Sequence, residues 1–237
     1  MTRHIVAMGG GGFSMSQFGE PTALDRYLIG LTGRAHPQVC FAPTAAGDDA
    51  GYIHRFLTAY GSLGVRTSVL TLWQDAAASI DRLAEADLLF VGGGSTVNLM
   101  ALWEAHGVTD VIRQRYGDGA LVLAGISAGA CCWYTGCVTD SFGDLRPWLG
   151  GMGLVRGSFC PHLDGEPERD PMFTAAIAAG DLPGGYAADD GAGVHYVDGV
   201  PAHFIAEAEG HAVYRVLPND VPGPTVIREP QQMTLLA

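Results

Sequence analysis

The sequence predicts an α/β fold: a doubly wound, mostly parallel sheet with helices on both faces, followed by a β-rich C-terminal stretch. Three observations predict it. Short apolar runs alternate with longer amphipathic stretches from His4 to Trp133, the pattern of repeated strand–helix units. Two of those runs end in glycine clusters, Gly9–Gly12 and Gly92–Gly94, which mark tight turns out of a strand. An apolar fraction of 48% against 16% charged residues describes a folded chain with a substantial core. No linker, repeat or low-complexity segment divides the 237 residues, so one domain over 1–237 is expected.

Taken in order, His4–Met8 reads as a buried strand running into Gly9–Ser14. That glycine run lacks GxGxxG spacing and a P-loop Lys-Ser/Thr, so a close backbone approach is expected rather than a phosphate cradle. Residues 22–31 have apolar side chains at helical spacing. Gln38–Ala42 is a strand closed by Pro43, Tyr52–Tyr60 an amphipathic helix, and Arg66–Leu72 an alternating strand. Ser79–Ala86 is a short helix before the buried strand 87–91, whose glycine turn leads into a helix over Leu99–His106. Beyond Trp133 the pattern loosens: a strand at 154–160, a polar loop over 161–170, a helix over 171–179, then meandering strands and hairpins.

Charge and cysteine content narrow the function classes. Thirteen basic against 25 acidic residues give −12, without a basic cluster, which argues against nucleic acid or an anionic membrane as partner. No apolar run approaches the ~18 residues of a spanning helix. The N-terminus shows no signal-peptide cleavage pattern, so a cytoplasmic location is expected. Cysteines 40, 131, 132, 137 and 160 form no CxxC pair, and buried structural thiols are expected. Neither a metal nor an organic cofactor is called for. A homodimer is a candidate assembly on which the sequence is silent.

The most informative stretch is Leu121–Trp133, LVLAGISAGACCW. Gly125-Ile-Ser127-Ala-Gly129 between a strand and a helix has the form of a nucleophile elbow, where small neighbours permit a sharp turn that lifts the serine hydroxyl. The N–H of Ala128 would then face a developing oxyanion, with Gly93 or Gly94 from the second glycine turn supplying another donor. The same pattern also suits a turn whose serine only caps a helix.

Four signals stand in fixed order: Gly9–Ser14, Gly92–Thr96, Gly125–Gly129 and Pro161–Arg169. Together they resemble peptidase family S51, which holds the aspartyl dipeptidases and the more distant cyanophycinases. GGGGF, GGGST, GISAG and PHLDGEPER stand where that family carries GGGGF-like, GGGNT, GxSAG and PHYDxExxR motifs, with Ser95 in the Asn place and Leu163 in the Tyr place. The resemblance implies a glutamine-amidotransferase-like, flavodoxin-like three-layer fold and a serine exopeptidase. Ser127 would be the nucleophile, His162 the general base and Asp190 the acid, with Asp189 as the neighbouring candidate. Arg169, with Ser95, would bind substrate, expected to be a dipeptide with an N-terminal aspartate. Asp170 stands where relatives often carry a second arginine, which loosens that specificity. A cyanophycinase-like or β-aspartyl peptidase, a broad dipeptidase or esterase, and a silent ligand-binding homologue are the alternatives. Chain order bears on the base: the order of ordinary α/β-hydrolases would need His195, His203 or His211, whereas His162 directly follows Ser127 and precedes the acidic pair.

Overall fold

Apolar runs closed off by glycine or proline become the central strands of the computed structural model, which describes residues 2–219 and 225–237. His4–Met8 (β1), Gln38–Ala42 (β2), Arg66–Val69 (β3), Leu88–Val91 (β4) and Val122–Ile126 (β5) lie parallel in the order β3-β2-β4-β5-β1. The helices between them are Ala23–Leu31 (α1), Ala50–Gly61 (α2), Ala76–Ala84 (α3), Thr96–Ala105 (α4) and Val108–Gly117 (α5). Strand side chains alternate between two cores, as the two-residue period requires. Ile5, Ala7, Leu89 and Leu123 face α3, α4 and α5, while Val6, Met8, Phe41 and Phe90 face α1 and α2. The three-layer arrangement expected from the alternation is present. No helix is expected over 108–117 in the sequence reading above, yet Val108, Ile112 and Tyr116 bury one face of α5.

The β-rich C-terminal part is more organised than a run of hairpins. After the one-turn helix Ala128–Cys131 (α6) come Gly136–Thr139 (β6), Arg146–Leu149 (β7) and Ser158–Cys160 (β8). Helix Arg169–Ala179 (α7) precedes Gly185–Ala188 (β9), Ala192–Val197 (β10), Val200–Ala206 (β11), Val213–Pro218 (β12), Val226–Pro230 (β13) and Met233–Leu235 (β14). Among the described residues, β10, β11 and β14 extend the first sheet beyond β1, and the others form a second sheet ordered β13-β12-β9-β8-β6-β7. One core cluster runs through both, joining Cys137, Phe159 and Val213 to Ile5 and Leu123. A third cluster, with Phe173 and Ile177, seats α7 on the second sheet.

Two buried polar clusters brace the frame. The Asp25 carboxylate accepts the N–H groups of Phe13 and Thr22, each at 2.8 Å, and the Tyr60 hydroxyl at 3.0 Å, fixing the first glycine turn to α1 and α2. Burial pushes its pKa up to about 6. At the opposite strand ends His195 is 2% exposed, between His4 Nδ1 at 2.9 Å and the Tyr27 hydroxyl at 2.7 Å, with the His203 ring tilted against it. Burial, then the neighbouring histidines, push the His195 pKa down to about 4. Its folded pKa lies below the unfolded value of about 6.5, so the unfolded chain binds the proton first. The stability that neutral His195 contributes is present above pH ~6.5 and is lost as pH falls toward 4. Asp25 acts in the opposite sense over much of that range, so the expected result is differential. The gap in melting temperature between the wild type and a His195→Gln variant shrinks from pH 7 to pH 4. A constant gap in thermal melts across that range contradicts the assignment.

Candidate active site

Between Leu121 and Tyr134 every residue is buried except Ser127, which is half-exposed. The cause is the backbone: Ser127 takes φ 52° and ψ −118° between β5 and α6, a conformation that costs about 1–3 kcal/mol for a residue with a side chain. Its neighbours must be glycine. A Cβ on Gly125 would lie 2.1 Å from the Gly129 carbonyl oxygen, and one on Gly129 would lie 2.2 Å from that of Val91. The N–H groups of Ala130 and Cys131 bond back to the Ser127 carbonyl at 3.0 and 2.9 Å. The Ala128 N–H, at the start of that turn, has no partner among the described residues.

The second glycine turn stands beside the serine, since a side chain on Gly93 would begin 3.3 Å from Ser127 Cβ. The two candidate donors there differ. The Gly93 N–H is taken by the Tyr52 hydroxyl at 3.4 Å, whereas the Gly94 N–H is unpaired among the described residues and exposed. Tyr52 is itself held by Ser14 Oγ at 2.5 Å, and burial raises its pKa, keeping it a phenol. No sequence signal points to this brace, because Tyr52 reads only as an apolar position of α2. Ser95 caps α4, its side chain accepting the Asn98 N–H at 3.3 Å.

His162 sits in the left-handed region at φ 53°, in the loop between β8 and α7. Its Nδ1 lies 2.6 Å from Asp190 Oδ1. A carboxylate can only accept, so Nδ1 carries a proton and, in the neutral imidazole, Nε2 keeps the lone pair. Asp189 points elsewhere, accepting the Ala212 N–H at 2.8 Å, and burial raises its pKa. Asp190 is further fixed by its own N–H to Asp164 Oδ1 at 2.9 Å and by His211 Nδ1, which donates to its carbonyl. His211 thus holds the backbone of Asp190; its distance in the chain hides this contact from the sequence.

The first glycine run explains how these groups meet. Gly10 bridges to Asp190, and a Cβ on Gly10 would fall 2.1 Å from Asp190 Oδ1. Two residues earlier the Met8 carbonyl accepts the Ser127 N–H at 3.2 Å. Residues 8–10 thus touch both the serine turn and the acid, at the carboxyl ends of β1 and β5 where open α/β sheets place their sites. Among the described residues Ser127 Oγ makes no hydrogen bond, to His162 or to any other group. Such contacts are often long before substrate arrives.

Arg169 is a buried side chain at the start of α7 rather than a solvated loop cation. Its Nε donates to Glu166 Oε2 at 2.6 Å and its Nη1 to the Val138 carbonyl at 3.5 Å. Asp170 pairs with Arg228 at 2.5 Å. Cys131 and the other four cysteines are buried and unbridged. Among the described residues no cluster of three His, Cys, Asp or Glu is arranged for a metal ion, and no helix is long and apolar enough to cross a membrane.

Three layers around a mostly parallel sheet, with a strained serine turn at its carboxyl edge, define an α/β fold that is also found in peptidases. A peptidase from an acI-B1 Actinobacterium shares it at TM-score 0.69 and 16% identity, covering 98% of this chain and 95% of that one. A putative peptidase E from Listeria monocytogenes EGD-e shares it at TM-score 0.56 and 17% identity, covering 98% and 100%. The model of peptidase family S51 matches residues 5–202, and the chain belongs to that family. It is also 41% identical over 216 residues to the uncharacterized peptidase YgaJ of Bacillus subtilis (strain 168), covering 91% of this chain and 92% of that protein.

Proposed function

We propose that this S51 peptidase is a serine dipeptidase that cleaves short peptides, with N-terminal aspartate preferred. The observation that carries the reading is the 2.6 Å His162–Asp190 bond, which commits the Nδ1 proton and leaves Nε2 free to act as a base toward the strained, half-exposed Ser127. In this mechanism Ser127 Oγ attacks the scissile carbonyl carbon while its proton passes to His162 Nε2. The oxyanion is met by the Ala128 N–H and by Gly94 or, once Tyr52 lets go, Gly93. His162 returns the proton to the leaving amine as the C–N bond breaks, and water, deprotonated by the same nitrogen, hydrolyses the acyl-enzyme. Asp190 stabilises the imidazolium without taking its proton.

Specificity rests on Arg169, the arginine of the His162 loop. Its bond to Glu166 and its burial favour a second reading, a broader dipeptidase, since a guanidinium already paired has less to offer a substrate carboxylate. Asp-Leu, Asn-Leu, Glu-Leu and Ala-Leu hydrolysis separates the two. The expected result is kcat/KM for Asp-Leu exceeding that for Asn-Leu by about tenfold or more, the worth of a charge-assisted bond. Equal cleavage across the panel selects the broader enzyme, and no cleavage of any member sinks the dipeptidase reading.

A further inference from the structure

All 13 basic residues of this acidic chain are arginines, and three of them, Arg3, Arg156 and Arg215, line one cleft. The cleft has a volume of about 500 Å³ and lies between the two sheets, within the size range of small-molecule sites. It is remote from Ser127. Arg3 precedes β1, whose five residues span about 17 Å before the glycines that meet Asp190. Tyr196, opposite Ile5 in β10, lies at the same end.

The charges there are incompletely matched. Arg3 is paired with Asp198 at 3.3 Å, and Arg215 reaches Glu229 only at 3.7 Å, with both side chains about half-exposed. Arg156 has neither an ion pair nor a hydrogen bond among the described residues. Of the charged side chains on the wall, three are cations and Asp198 alone is an anion, in a molecule of net charge −12. With 25 carboxylates available, a concentration of cations facing a cleft is a local departure that favours an anion there. Half-buried Tyr186 and Gly184 stand on the same wall, while Tyr116 is buried with its ring under the Arg3 guanidinium at 5.6 Å. Guanidinium forks suit carboxylate or phosphate oxygens, and tyrosine faces suit a flat ring.

We propose that this cleft is a second binding site, for a small organic anion that joins a carboxylate or phosphate to a planar ring. Arg156 and Arg215 hold the anionic group, and Tyr186 stands beside the ring. The site is separate from the peptidase centre and does not depend on how that centre works.

Calorimetric titration of the full chain with phenyl phosphate, inorganic phosphate and phenol tests it. Phenyl phosphate is expected to bind wild type and Ser127→Ala alike, to weaken by about tenfold or more in Arg156→Ala/Arg215→Ala, and to bind more tightly than inorganic phosphate; phenol is expected not to saturate. Both arginines are solvent-facing, and the single Arg156→Ala variant, which removes no ion pair, serves if the double variant melts early. Absence of saturable binding, equal affinity in the arginine variants, or inorganic phosphate binding as tightly as phenyl phosphate overturns the proposal.

Discussion

Replacing Ser127 by alanine is expected to lower kcat on the best dipeptide by about a millionfold, the scale seen when a triad serine is removed. The fold should survive. The hydroxyl makes no hydrogen bond among the described residues, and alanine meets the same backbone conformation at φ 52° as serine does. A variant with wild-type melting behaviour and no turnover is the outcome that fits; retained turnover removes Ser127 from the chemistry and the elbow becomes only a tight turn. Binding of substrate should persist in this variant, since no group on the glycine turns or on α7 is altered.

The second large effect is expected at Asp190. Asparagine is nearly isosteric, so the packing against Gly10 remains, but its amide can donate to Nδ1 and favour the tautomer with the proton on Nε2. A base in that tautomer cannot accept the serine proton, and kcat falls by about 10⁴-fold. Asp189→Asn is the informative partner. Its oxygen can still accept the Ala212 N–H, so kcat should stay close to wild type. Steady-state kinetics of the two variants side by side decides between the acids: a reversed order would move the role to Asp189 and require the turn to rearrange.

How much of this was legible depends on whether the signal was local. The limits of β1 and β2 coincide with what their flanking glycines and proline predict, because an apolar run ending in a breaker is complete information about a buried strand. The second sheet was legible only in part: the strand read at 154–160 contains β8, while β6 and β7 went unread. β7 reads Arg-Pro-Trp-Leu and β6 is four residues long, so propensity and periodicity have almost nothing to act on, although the two strands pair with each other across a short connection. At the site, GISAG announced its own geometry because collisions among its own residues and Val91 dictate it. GGGG at residues 9–12 announced a close approach but not to what; the answer, Asp190, lies in the turn between β9 and β10, far along the chain. Arg169 shows the opposite failure. A charged loop predicts solvation, while tertiary packing placed the guanidinium in the interior with Glu166 as its partner.

The position of β1 bears on how the enzyme is made. That strand lies between β5 on one side and β10 on the other; its last residue holds the serine turn, and Gly10 just beyond it meets Asp190. A nascent chain emerging from the ribosome can therefore complete the parallel half, elbow included, while β1 still offers a bare edge. The His162–Asp190 pair cannot exist until the segment through β10 has been synthesised and has zipped antiparallel onto that edge. On the proposed mechanism the site is therefore completed later than the parallel half, and a chain ending before Asp190 lacks it by topology.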